Sequence, residues 1–220
     1  MTYSIKEVFY TLQGEGYHAG KPALFIRFSG CNLWSGRQGH RERDAVRNDA
    51  ECPRWCDTDF ADGERMTAEA LVSVATGEAP EDVPLIVLTG GEPYLQIDEP
   101  LLAALRGTFD NAVIAVETNG TVEPKAAVDW ICVSPKVEVS RIKIREGDEL
   151  KVVFPGYDPD YYAALANLGF DHHFVSPEAS TRAVGESLIN ADNTARAIAF
   201  VQKNPTWRLS LQSHKIIGVR

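Results

Sequence analysis

Leu85-Ile86-Val87-Leu88-Thr89-Gly90-Gly91-Glu92-Pro93 sets the architecture of this chain. Consecutive apolar residues without alternation describe a strand covered on both faces, as in a parallel sheet flanked by other layers. Two glycines at the strand's end permit positive φ and a close approach of backbone to a ligand; a plain tight turn is the simpler alternative. Outward from this run, similar short apolar segments alternate with helical ones. Strands are expected at 23–28, 85–89, 112–117, 130–134, 150–154, 173–176 and 208–212. Between them, Thr67 caps a helix over 68–75 that Gly77 stops, and Pro100 opens one over 101–106. Asp158-Pro159 starts a helix over 161–168, ended by Gly169. Asp192 or Asn193 starts a last one through Gln202, closed by Asn204-Pro205.

Such alternation builds right-handed βαβ units. The helices are too few and too short for eight of them, so the expected fold is α/β, a partial (incomplete) TIM-like barrel of about six parallel strands. At 220 residues the chain reads as a single domain, 1–220. Its 44% hydrophobic and 24% charged content is that of a soluble globular protein. A net charge of −9 argues against a broad nucleic-acid or anionic-membrane surface, while leaving room for a small basic pocket. No apolar signal core opens the chain and no run approaches a membrane span, so a cytoplasmic location is expected. Cysteines in that compartment read as metal ligands or buried thiols rather than disulfides.

Cys31, Cys52 and Cys56 follow the first core strand, separated by twenty and three residues. The segment 35–51 between the first two is highly charged, with Val46 its one large apolar residue. It is expected to be a solvated excursion, with room for a short helix, rather than core. The cluster loop thus runs 31–58 with the insertion 35–51. Three thiolates are one too few for a closed structural zinc, unless His40 within the insertion supplies the fourth ligand. They suit a cubane iron–sulfur cluster whose fourth iron stays open. Cys132, inside an apolar strand, reads as a buried thiol.

Cysteines after one strand and Gly90-Gly91-Glu92-Pro93 after the next resemble the radical S-adenosylmethionine (SAM) superfamily, and Glu117-Thr118-Asn119-Gly120 fits one of its SAM-contacting loops. Phe9-Tyr10-Thr11-Leu12-Gln13-Gly14-Glu15-Gly16, Phe25-Ile26-Arg27-Phe28-Ser29-Gly30-Cys31-Asn32-Leu33-Trp34, Trp55-Cys56-Asp57-Thr58 and Leu211-Gln212-Ser213-His214-Lys215 narrow the match. Together they resemble the 7-carboxy-7-deazaguanine synthase family, from about Val8 to the last residues. The spacing departs from that family, which carries Cys-x3-Cys-x2-Cys or a longer first gap with x2 retained.

The resemblance implies a carbon–nitrogen lyase that contracts 6-carboxy-5,6,7,8-tetrahydropterin to 7-carboxy-7-deazaguanine with loss of ammonia, in queuosine and 7-deazapurine biosynthesis. It implies a 4Fe–4S cluster on Cys31, Cys52 and Cys56, SAM used catalytically through a 5′-deoxyadenosyl radical, and Mg2+ on Thr58. The Gly-Gly-Glu segment would line the SAM amino group. Cofactor contacts fall on Trp55, Asp57, Gly91, Glu117, Val133, Ser134 and Pro135, and substrate contacts on Leu12, Gln13, Gly14, Glu15, Arg27, Thr89, His214 and Arg220. Arg27 offers a planar guanidinium to the substrate carboxylate, and an unpaired charge amid Phe25, Ile26 and Phe28 would be costly. Gln13 and Glu15 offer acceptors to the pterin edge. A homodimer and a flavodoxin-type reductant are implied as well.

Two alternatives stay open at this point. A glycyl-radical-enzyme activase shares the cluster and the Gly-Gly-Glu-Pro segment but needs no Gln-Gly-Glu-Gly loop. A structural zinc-binding protein would use the cysteine loop without chemistry. Arg37, Arg41, Arg43 and Arg47 beside the cluster loop make the insertion a candidate docking surface for the reductant.

Overall fold

The structure, a computed structural model, describes residues 1–179 and 189–220. The apolar runs expected as strands fall in one sheet, which has nine strands among the described residues. In chain order these are β1 (Tyr3–Leu12), β2 (Pro22–Phe28), β3 (Glu64–Met66), β4 (Leu85–Gly90), β5 (Val113–Thr118), β6 (Trp130–Val133), β7 (Glu146–Phe154), β8 (Gly169–Pro177) and β9 (Trp207–Leu209). Their order across the sheet is β3-β1-β2-β4-β5-β6-β7-β8-β9. From β2 onward every neighbouring pair is parallel, whereas β1 pairs antiparallel with β2 and β3. The sheet is open, with β3 and β9 at its edges.

The seven expected runs fall on the parallel strands β2 and β4 to β9, while the antiparallel strands β1 and β3 were not foreseen. β1 was missed because Tyr-Ser-Ile-Lys-Glu-Val-Phe-Tyr-Thr-Leu is neither a continuous apolar run nor a clean alternation; its register shifts between Ile5 and Glu7.

The helices of the described residues are α1 (Arg41–Asn48), α2 (Cys52–Trp55), α3 (Ala68–Glu78), α4 (Glu99–Thr108), α5 (Pro159–Leu165), α6 (Ala191–Lys203) and α7 (Ser213–Ile217), and α3 to α6 contribute to the main core. Caps explain their starts. The side-chain oxygens of Thr67, Asp98, Asp158 and Asn190 accept from the amides of Ala70, Leu101, Tyr161 and Asn193. Gly77 lies inside α3 instead of stopping it. Asp98 starts α4 with Pro100 inside the first turn, and Asn190, not Asp192 or Asn193, caps α6. α5 stops at Leu165, short of Gly169, which opens β8. No helix among the described residues is long and apolar enough to cross a membrane.

Side-chain alternation along the strands sorts the interior into two layers. Leu24, Ile26 and Phe28 of β2, with Ile86 and Leu88 of β4, pack against Leu71 of α3 and Leu101 and Leu105 of α4. On the opposite face, Phe9, Phe25, Val87 and Ala115 form a second, smaller cluster, with Phe9 and Phe25 stacked at 5.1 Å. Both faces of the first part of β2, β4 and β5 are therefore dry, which is why those runs read as continuous. Two residues further on, that second face turns polar: Arg27 follows Phe25, Thr89 follows Val87 and Glu117 follows Ala115. The carboxyl ends of the strands thus open on a polar cavity, where α/β sheets place their sites.

Within the insertion, the short helix α1 is present and most residues are exposed or part-exposed, Val46 at 69% among them, while buried Asp44, Ala45 and Ala50 anchor the segment to the protein.

Candidate active site

The cavity at the strand ends has a volume of about 1010 Å3. Its floor is a charge network. Lys151, on β7, places Nζ 2.8 Å from Glu15 Oε2 and 3.1 Å from Glu117 Oε1. Glu117 also accepts from Thr89 Oγ1 at 3.1 Å and Gln13 Nε2 at 3.3 Å, and Glu15 accepts from Gln212 Nε2 at 2.7 Å. Burial alone would raise the Glu15 carboxyl, but Lys151 and the Gln212 bond outweigh it and hold the group well below the usual carboxylate range. Burial likewise opposes the Lys151 charge, yet its two carboxylates push the ammonium well above its ordinary value. Four of the expected site residues, Gln13, Glu15, Thr89 and Glu117, meet here, and Gln212 ties the C-terminal segment to them. Lys151 was not foreseen, although it gives the signal that singled out Arg27: one cation inside an apolar strand.

Arg27 lines the cavity, and the charge that looked unpaired has a partner. Its Nε donates to Glu7 Oε1 at 2.7 Å, across the β1–β2 register where Glu7 faces Arg27. Arg220 also donates to Glu7. The two guanidiniums lie over Phe9, at 5.8 and 4.7 Å from its centroid. Because Arg27 uses Nε for Glu7, the Nη pair lies outside that bond.

His214 rests directly on Gly14, where any Cβ would fall 2.1 Å from its Nδ1. Ser213 donates from both N and Oγ to Gly14 O at 2.9 Å, so α7 closes over the Gln13–Glu15 turn. Burial lowers the His214 imidazole. Lys215 reaches from α7 to Asp57 Oδ2 at 2.8 Å, occupying one of the expected cofactor contacts. Leu12, Thr58, Gly91 and Ser134 also line the cavity, while Val133 and Pro135 are buried outside its lining; Trp55 ends α2.

The glycines do more for the fold than a ligand-facing turn would need. A Cβ on Gly90 would meet Phe28 O at 2.2 Å, and one on Gly91 would meet Gly30 O at 2.0 Å. Gly91 N and Glu92 N donate to Phe28 O and Gly30 O, so the glycines let this loop cross the start of the cysteine loop. Glu92 is fully buried and off the cavity. It accepts from Tyr94 N and Thr118 Oγ1 on one oxygen and from Asn119 N on the other, which locks β4 to β5. Asn119, in turn, donates to Asn32 Oδ1 at 3.0 Å, next to Cys31.

All four cysteines are free, and Cys31, Cys52 and Cys56 open on the same cavity while Cys132 is buried. Burial pushes the Cys31 thiol up to about 11 and the Cys52 thiol up to about 12, so these thiols await a metal to draw off their protons. A single zinc with Zn–S bonds of about 2.3 Å needs sulfurs roughly 3.8 Å apart. No three His, Cys, Asp or Glu among the described residues converge for one ion, and His40 is off the cavity with Nδ1 3.5 Å from Ser35 Oγ. Three cysteine thiols lining one cavity are the donor set of a cluster whose cysteines bind separate irons.

Two outcomes follow from this geometry. Lys151→Met strands two part-buried carboxylates, 17% and 25% exposed, and should cost about 3 kcal/mol in chemical denaturation at pH 7, the low end for a broken buried pair. Glu15 is depressed in the wild type, so its contribution is complete above the unfolded value near 4.5 and is lost as pH falls below it. The stranded carboxylate of the variant is raised by burial and is relieved on protonation, so the gap should narrow from pH 7 to pH 4. Gly91→Ala should distort the crossing at Gly30 and lower both stability and iron uptake, read by denaturation and by iron content after anaerobic reconstitution.

Known proteins carry the same architecture. A 7-carboxy-7-deazaguanine synthase of Burkholderia multivorans is 44% identical over 228 residues, spanning all of both chains. Its counterpart in Caulobacter vibrioides is 45% identical over 230 residues, again with complete coverage of both. The crystal structure of QueE from Escherichia coli superposes with a TM-score of 0.68 at 25% identity, covering 97% of this chain and 95% of that one. No protein-family model matches the chain. Full-length identity of this degree, on a cavity that unites three cysteines with the Gln13–Glu15 turn and Arg27, establishes that the chain belongs to the 7-carboxy-7-deazaguanine synthase family.

Proposed function

We propose that the chain contracts 6-carboxy-5,6,7,8-tetrahydropterin to 7-carboxy-7-deazaguanine with loss of ammonia, in queuosine and 7-deazapurine biosynthesis. The observation that carries this reading is the union, in one cavity, of the Cys31, Cys52 and Cys56 thiols with the Arg27 guanidinium and the Gln13 and Gln212 amides, donors suited to a pterin acid. An incomplete barrel is the matching fold reading, supported by parallel strands that follow one another in sequence order within an open sheet. When bound, a 4Fe–4S cluster on Cys31, Cys52 and Cys56 and SAM supply the radical chemistry by which a hydrogen atom is taken from substrate carbon and returned.

The chain's own residues bind, orient and shield. Arg27, aligned by Glu7, presents its Nη pair to the substrate carboxylate, where a planar fork gives the strongest recognition. Gln13, Glu15 and the Leu12–Gly14 backbone flank the pterin edge, with Thr89 beside them. His214 and Arg220 complete the pocket from the C-terminal side and exclude water. Gly91, Glu117 and Ser134, with backbone from Trp55, Asp57, Val133 and Pro135, form the SAM side. Thr58 offers a hard oxygen donor to Mg2+ within reach of the same carboxylate.

The family resemblance supports a homodimer, a cytoplasmic location and a flavodoxin-type reductant. The activase reading has no use for the charge network around Gln13, Glu15 and Lys151, which favours a small polar substrate.

An anaerobic assay with dithionite, SAM, Mg2+ and 6-carboxytetrahydropterin tests the assignment. Wild type should form 7-carboxy-7-deazaguanine by mass spectrometry; SAM cleavage without that product would refute the substrate. Cys56→Ala should hold no cluster and cleave no SAM. Arg27→Ala should keep the cluster and raise KM about 100-fold, the scale of a lost buried charge-assisted pair; an unchanged KM would remove Arg27 from the carboxylate. Thr58→Ala should change the Mg2+ dependence alone.

A further inference from the structure

The insertion binds the cluster loop to itself through one side chain. Arg41, at the first position of α1, donates from Nη1 to Pro53 O at 2.6 Å and from Nη2 to Cys56 O at 2.9 Å. Its guanidinium lies 4.4 Å from the ring centroid of the buried Trp34, and Nε donates to Gln38. Arg41 therefore spans the turn that separates Cys52 from Cys56 and also lines the cavity. The same helix grips the loop elsewhere: Asn48 donates to Leu33 O at 2.7 Å, two residues past Cys31, and Glu42 accepts a forked pair from Arg54 at 2.9 and 2.7 Å. Each cysteine thus has backbone near it referenced to α1.

We infer that Arg41 is a positioning residue for the iron–sulfur cluster: its fork sets the spacing of the Cys52–Cys56 turn, and its charge raises the cluster's reduction potential. The inference rests on the cluster reading above. A guanidinium suits the first task because its planar fork holds two acceptors at a fixed separation, which an ammonium cannot do. It suits the second because a cation and directed hydrogen bonds beside the cysteine ligands favour the more negative, reduced cluster. In this chain the second gap holds three residues, including Pro53, so the turn needs such a tie; the donors to Pro53 O and Cys56 O come from the insertion. This reading also redirects the arginines. Arg41 is spent on the loop, whereas Arg37, Arg47 and Arg43, the last paired with Asp44, are exposed.

The test uses the full chain, reconstituted anaerobically, as wild type, Arg41→Ala, Arg41→Lys and Arg47→Ala. Two readouts are taken besides turnover: iron release to a chelator, and the midpoint potential from an EPR-monitored redox titration. Arg41→Ala should release iron about tenfold faster, as loss of an outer-shell partner does, with a midpoint shifted to more negative potential. Arg41→Lys should keep the wild-type potential but release iron faster, separating charge from fork. Arg47→Ala, on the exposed side, should match wild type in both. Should Arg41→Ala match wild type in both readouts, or lose only flavodoxin-supported turnover, the positioning role is overturned and the docking role stands. A wild-type chain that assembles no cluster would overturn the cluster reading itself, and this inference with it.

Discussion

The buried ammonium of Lys151, held between Glu15 and Glu117, is the constraint on which the site depends. Its partners come from distant parts of the chain: Glu15 from the turn between β1 and β2, Glu117 from the end of β5, and Lys151 from β7. Desolvating three charges is expensive, and the arrangement survives because every member has further hydrogen bonds or a second counter-charge. Gln13, Thr89 and Gln212 supply those bonds. The N-terminal turn, the sheet and the C-terminal helix are thereby fixed to one another at the floor of the cavity, before any ligand enters.

A second constraint acts at the opposite wall. The loop after β4 crosses the start of the cysteine loop so closely that neither Gly90 nor Gly91 has room for a Cβ, and the buried Glu92 fastens that crossing to the end of β5. Outside it, α1 holds the cysteine turn through Arg41. The radical chemistry proposed above needs a dry, pre-set enclosure, and these two braces build one side of it from a tight backbone crossing and the side chains of Glu92 and Arg41.

Much of this was legible in the sequence, for definite reasons. Strands covered on both faces announce themselves as unbroken apolar runs, and β4 and β5 fell where such runs lie. Arg27 and the cysteines stood out because charge and thiol chemistry are conspicuous amid apolar neighbours. β1 was not legible, since a half-exposed, bulged strand has no clean period. The anchors of the insertion were not legible because composition reports how many residues are charged, not where they point: Asp44 is buried against Ser35 N and Arg43, while Val46 faces solvent. Glu7 and Lys215 were missed because their importance lies in partners at 27, 220 and 57, contacts that no local pattern contains.

The central claim is that one cavity holds the cluster, SAM and pterin together. A crystal structure of the anaerobically reconstituted protein with SAM and 6-carboxytetrahydropterin tests it most directly. The account predicts iron on Cys31, Cys52 and Cys56, the pterin carboxylate on the Nη pair of Arg27, and the pterin ring against the Gln13–Glu15 turn with Lys151 still between its carboxylates. A pterin bound elsewhere, or a single metal ion held by two of the cysteines and a histidine, would contradict it.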